Sequence, residues 1–174
     1  MDELVEILTE DGKYTGEKIS KAIAHKEGIC HGISVIALID NQGRLLIQKR
    51  AEKKKDEPNK WDVSGAGHID PGEKPDQAAR RELFEELGID VEEKDMQLID
   101  TYLNQNILAN DVFLNHYTYL FVARKNINID NIAPEKSEVS DFMFVDKKKY
   151  LELQENGELV LATKHCSKIL NYMK

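Results

Sequence analysis

The stretch from Gly67 to Ile89 constrains this chain more than any other part of it. Pro75 is suited to a first helical position and Gly88 to the position just past a helix end, so the spacing predicts a helix between them. At about 100° per residue, Glu82, Glu85 and Glu86 fall at i, i+3 and i+4, and their carboxylates project over one patch of surface. Ala79, Leu83 and Leu87 form an adjacent apolar stripe that docks the helix on a sheet. Ionised carboxylates about 6 Å apart repel one another by a few tenths of a kcal/mol per pair, so something must compensate them. Mg²⁺ is one such partner, because it takes one or two carboxylates together with phosphate oxygens and waters.

The ordinary alternative is a solvated helix face, neutralised by Lys74, Arg80 and Arg81. The flanking residues weigh against it. Gly67, Glu73 and Gly88 surround the helix, and Arg81 can reach either Glu85 one turn on or Glu73 in the preceding loop. A two-pronged arginine to carboxylate bond would lock that loop onto the helix.

The 174 residues suffice for one domain, 1–174, with a core that needs no disulfide. The net charge of -8 repels a nucleic acid polymer unless basic residues cluster, and it favours a divalent cation between the protein and a phosphorylated substrate. Cys30 and Cys166 lie far apart and suggest neither a disulfide framework nor a cysteine zinc site. The start carries no basic region followed by an apolar run, and no stretch is long enough to span a bilayer, so a cytoplasmic protein without a membrane partner is expected.

Along the chain, 3–8 and 14–18 flank a turn and read as a hairpin or flap within residues 1–30. Residues 31–40 and 44–50 read as a second hairpin with one deeply buried strand. The charged stretch 51–60 reads as a solvated loop at the mouth of a site. Extended runs follow at 61–69, 96–104, 112–124 and 141–145, and helical periodicity at 147–155 and 158–173. This succession suggests an α/β sandwich with a mixed sheet. Neither a Walker-type glycine loop nor a serine nucleophile elbow is present.

Gly67, five residues, Glu73, seven residues, Arg81-Glu82-Leu83, one residue, Glu85-Glu86, one residue, Gly88-Ile89 resembles the Nudix box at every specified position. A chance match in a chain of this length is on the order of one in ten million at average residue frequencies. The resemblance implies an α/β/α sandwich in which 67–89 form a loop, helix and loop. It implies that Glu82, Glu85, Glu86 and the Gly67 carbonyl hold Mg²⁺ or Mn²⁺, and that Arg81 orients them with Glu73. A cluster glutamate or one elsewhere then serves as general base, and Glu135 and Glu138 lie in a loop where such a base is sometimes kept.

A second resemblance covers most of the chain. His25 to His31, Arg50, Pro58, Trp61, Ser64 and Gly67-His68 are similar to the Nudix subgroup resembling isopentenyl-diphosphate isomerase. That enzyme places a catalytic cysteine just before the Gly-His pair, where this chain has Ala66. The resemblance also implies a second kind of metal site at His25, His31 and His68, although histidines serve equally as local hydrogen-bonding groups. A later essential glutamate of the isomerase falls at either Asp111 or His116. The expected activity is hydrolysis of a phosphoanhydride in a small-molecule diphosphate, a nucleoside diphosphate joined to another moiety. Isomerisation of isopentenyl diphosphate and non-catalytic ligand binding are the alternatives. A homodimer could use the amino-terminal segment or the 107–112 loop.

Overall fold

The computed structural model describes residues 3–107, 113–161 and 167–174. Two short strands, β1 (Leu4–Leu8) and β2 (Tyr14–Ser20), pair antiparallel and lead into a helix, α1 (Lys21–Glu27). The sequence reading of 1–30 missed α1, whose single buried residue, Ala24, leaves almost no apolar periodicity to detect.

The centre is β3 (His31–Ile39), buried along its whole length as its unbroken apolar run requires. It touches β4 (Leu45–Arg50) only at the turn, where Ile39 faces Leu45. The expected hairpin therefore splits beyond its turn. Ser64 occupies the fork, accepting a hydrogen bond from Leu38 N at 2.8 Å and donating to Leu46 O at 2.6 Å. This hydroxyl satisfies two backbone groups that parting strands would otherwise leave buried and unpaired. Next to it, β5 (Trp61–Asp62) joins β4 and β6 (Gly65–His68) joins β3.

A long antiparallel pair, β7 (Met96–Ile107) and β8 (Phe113–Arg124), adds through β8, which runs parallel to β3 from His31↔His116 to Ile39↔Arg124. β9 (Val139–Val145) closes the other side against β4. The result is a mixed sheet between two helical layers, the α/β/α sandwich expected. On one face lies α2 (Pro75–Leu87), inserting Ala79, Leu83 and Leu87 among Ile36, Leu38 and Phe121. On the other, α3 (Lys147–Glu155) packs Tyr150 and Leu153 with Ile39, Ile47 and Leu120.

The tail differs from its periodicity. Trp61 N and O bond to Glu158 O and Val160 N, so 158–160 run alongside β5 as extended backbone rather than helix. Beyond them, Ser167–Asn171 form a short 3-10 helix that buries Ile169. The apolar spacing there serves this extended contact and cap. Among the described residues no helix is long and apolar enough to cross a membrane. Asp111, Cys166 and most of the 107–112 loop lie outside the described residues.

Candidate active site

α2 begins and ends where its sequence says. Pro75 fills the first helical position, the Gln77 side chain accepts from Lys74 N at 3.1 Å, and Gly88 adopts φ 68° while donating its N–H to Phe84 O. Close docking depends on Gly65, where a Cβ would come within 3.1 Å of the Leu83 backbone. β6 and α2 are thus held face to face, and the chemistry-bearing side chains line the crevice between them.

Arg81 is the hub. Its Nε and Nη2 each donate at 2.9 Å to the two oxygens of Glu73, the forked geometry that only a guanidinium supplies. Nη1 donates to Glu82 at 2.7 Å and to Glu85 at 3.3 Å, and Nη2 also reaches the His68 carbonyl at 2.9 Å. The sequence left Glu73 and Glu85 as alternatives; the arginine reaches both and ties loop, helix and strand together. Burial pushes the Glu73 carboxyl up, but its bonds from Arg81 and from Asp70 N outweigh this and hold it below its ordinary range.

The three helix carboxylates share a patch but differ in exposure. Glu85 has 57% of its side chain exposed and Glu82 15%, while Glu86 is buried with its Oε2 accepting from Gln48 Nε2 at 2.7 Å and Ala66 N at 3.2 Å. Burial raises Glu82 above its ordinary value despite Arg81, and raises Glu86 further, to about 8, against the pull of Gln48. Glu82 packs directly over Gly67, where any Cβ would collide with its carboxylate. Gly67 thus brings bare backbone against the carboxylates, a fit to a hard cation that takes carboxylate and carbonyl oxygens.

These groups line a cavity of about 1140 Å³. Arg50 and Lys53, Lys54 and Lys55 line it too, so the charged loop of 51–60 borders the site. Glu135 and Glu138 also border the cavity. Glu135 is held below its ordinary range by the Ser137 N–H and hydroxyl, and Glu138 is paired with Lys54. Gln48 is a site residue that the sequence reading passed over. A polar side chain inside the apolar run of β4 was the available signal.

Beside the carboxylates, four histidines converge: His25 from α1, His31 from β3, His68 from β6 and His116 from β8. His116, one of the two positions matched to the later glutamate of the isomerase, pairs with His31 across the sheet, and Asp111, the other, lies outside the described residues. Burial lowers all four imidazoles, His31 to about 4. Local hydrogen bonding supplies His31 Nδ1 with the Ile29 carbonyl and joins His25 Nε2 to His68 Nε2 at 3.2 Å, while the Nε2 atoms of His31 and His116 are buried without a partner. Ala66, opposite Val35 on β3, presents a methyl group in this neighbourhood.

Comparison with known proteins bears on this geometry. Residues 30–163 match the model of the NUDIX domain family. The chain is 31% identical to the uncharacterized Nudix hydrolase lmo0368 of Listeria monocytogenes, over 89% of this chain and 86% of that protein. It is 33% identical to isopentenyl-diphosphate Delta-isomerase 2 of Photorhabdus laumondii, over 98% and 92%. It is also 29% identical to Nudix hydrolase 3 of Arabidopsis thaliana over 86% of this chain, while spanning only 20% of that longer protein. In three dimensions DR0079 from Deinococcus radiodurans superimposes with a TM-score of 0.68, at 21% identity, over 91% of this chain and 92% of that one. An arginine-anchored glutamate helix set in this mixed sheet, with these matches in sequence and fold, places the chain in the Nudix family as a Nudix hydrolase with relatives among the isopentenyl-diphosphate isomerases.

Proposed function

We propose that the chain is a Mg²⁺- or Mn²⁺-dependent hydrolase that cleaves the phosphoanhydride of a nucleoside diphosphate joined to another moiety. The observation that carries this reading is the Arg81 hub, which holds Glu82 and Glu85 beside Glu86 and Gly67 in a cavity that basic residues also line. The cavity exceeds what a bare diphosphate would fill and leaves room for a nucleoside.

In this reading Glu82, Glu85, Glu86 and the Gly67 carbonyl hold the divalent ion. An ion held there would supply polarisation of a phosphorus centre, acidification of water and screening of the departing phosphate oxygen. Arg81 keeps the carboxylates in place through Glu73, so that no reorganisation is needed on substrate binding. Arg50 and the lysines oppose the substrate's negative charge and orient its diphosphate. A cluster glutamate, or Glu135 or Glu138 at the border of the cavity, takes the proton from the attacking water.

The isomerase relatives favour a second reading. Isomerisation needs an acid and a base within reach of the alkene carbons, and the methyl of Ala66 supplies neither. Phosphate-product release over a library of nucleoside diphosphate conjugates with Mg²⁺ or Mn²⁺ tests the hydrolase. Deuterium uptake into isopentenyl diphosphate in heavy water, followed by NMR, tests the isomerase. Hydrolysis without uptake is expected; uptake at many turnovers per minute without hydrolysis would overturn the assignment.

A further inference from the structure

Gln48 closes the buried run of β4, and the sheet holds it from both sides, with Asp62 of β5 opposite it on one edge and Phe142 of β9 on the other. It is 4% exposed, and an amide so buried needs hydrogen-bond partners. Its Nε2 donates to Glu86 Oε2 at 2.7 Å, and the backbone N–H of Ala66 donates to the same oxygen at 3.2 Å. A carboxylate oxygen accepts through two lone pairs, so these two donors saturate Oε2. Oε1 is then the oxygen of Glu86 left for a ligand in the cavity that Glu86 lines. The main chain is tied at the same residue, because the Glu86 carbonyl accepts from Glu135 N at 3.0 Å. Glu82 and Glu85 differ: each takes a bond from Arg81 Nη1 on one oxygen and keeps lone pairs to spare on both.

We propose that Gln48 is a positioning residue that restricts Glu86 to one-oxygen coordination, and so makes the carboxylate site discriminate against large divalent ions such as Ca²⁺ in favour of small octahedral ones such as Mg²⁺. The inference rests on the reading that Glu82, Glu85 and Glu86 hold the divalent ion. Gln48 is not among the residues lining the cavity, so it acts through Glu86.

The difference between the ions makes one oxygen matter. Mg²⁺ demands near-ideal octahedral geometry and keeps several waters, whereas Ca²⁺ gathers about 6–8 oxygens in a flexible shell and readily takes both from one carboxylate. Two-oxygen binding by Glu86 would have to break the bonds from Gln48 and Ala66 together. Without the Gln48 donor, only the longer bond from Ala66 resists it.

The test titrates the full, metal-free chain with Mn²⁺, read by the electron paramagnetic resonance signal of the free ion, and then displaces the bound Mn²⁺ with Mg²⁺ or with Ca²⁺. Loss of Mn²⁺ binding in Glu85→Gln ties the signal to the carboxylates. Gln48→Met keeps the length of the side chain and removes its donor. In that variant the ratio of Ca²⁺ to Mg²⁺ affinity should rise about ten-fold or more above that of the parent. A role confined to packing would weaken both ions alike. An unchanged ratio in a variant that still binds Mn²⁺ would overturn the proposal and leave the hydrolytic reading standing, whereas a parent chain that binds no Mn²⁺ at the carboxylates would overturn both. If Gln48→Met fails to fold, the infrared difference spectrum of the Mg²⁺-loaded parent decides. The carboxylate bands that vanish in Glu86→Gln should show the wide splitting between antisymmetric and symmetric stretches that marks a one-oxygen ligand, and the narrow splitting of a two-oxygen ligand would overturn the proposal.

Discussion

Two clusters of polar side chains lean on the same four-residue strand, β6, and they solve the problem of burying polarity in opposite ways. Of the carboxylates of α2, Glu82 and exposed Glu85 are pinned from outside by Arg81, and buried Glu86 is held by Gln48 and Ala66 N. Among the described residues the imidazoles have one carboxylate in ion-pair range, Glu3, 3.8 Å from His68 Nδ1. Burial disfavours their charged form, and one ring nitrogen of each faces the others. One cluster is thus a set of oxygen donors open to a cavity, and the other a buried set of ring nitrogens. The comparison teaches that the division of labour follows from what each side chain is anchored to, since Gly67 serves the first cluster and His68, its neighbour, the second.

The largest effect should come from removing a charge on the open side. Glu85→Gln should leave the fold intact and lower the metal-saturated turnover by roughly two to four orders of magnitude, because a neutral amide is a poor substitute for a charged metal ligand. Steady-state rates at saturating Mg²⁺ measure it, and near-parental turnover would remove the carboxylates from the chemistry.

Changing the anchor while keeping its charge should have a smaller effect. Arg81→Lys loses the fork on Glu73, so the Mg²⁺ concentration giving half-maximal rate should rise by about ten- to a hundred-fold with modest change in melting temperature. A Mg²⁺ titration superimposable on that of the parent would show that geometry at Arg81 is irrelevant.

The smallest effect separates the clusters by pH in metal-free protein. Glu86 has its folded pKa raised from 4.5 to about 8, so the stability that goes with its neutral form is present below about pH 4.5 and drains away as pH rises toward 8. Glutamine is neutral throughout. Glu86→Gln should therefore melt higher than the parent at pH 8 and about equally near pH 4.5, with each kcal/mol worth about 2–4 °C in a chain of this size. Equal melting temperatures at pH 8 would mean that Glu86 is not held against its charge.

α2 was legible because its evidence is local. Caps, apolar stripe and the i, i+3, i+4 glutamates lie within one short segment; the reach of Arg81 to Glu85 follows from helical geometry, and its bond to Glu73 is what the resemblance implied. What escaped is non-local. The parting of β3 from β4 depends on Ser64 and on strands that arrive later in the chain, and no pattern within 31–50 records them. Gln48 reaches Glu86 from thirty-eight positions away. His116 acquires its meaning only from the parallel register of β8 on β3, which sets it beside His31. The expected helix over 158–173 fails at its start because an apolar period describes which side chains are buried, and Leu159 and Val160 bury theirs while 158–160 bond as extended chain to Trp61.

The account's central claim is that water attacks phosphorus at the Arg81-anchored carboxylates. Hydrolysis of a preferred diphosphate in ¹⁸O-water with Mg²⁺, followed by mass spectrometry of the products, tests it most directly. One ¹⁸O should appear on a phosphate group in each turnover by the parent chain, at a rate that collapses in Glu85→Gln. Turnover in which no phosphate group gains the label, or labelling that proceeds at the same rate in the variant, would contradict it.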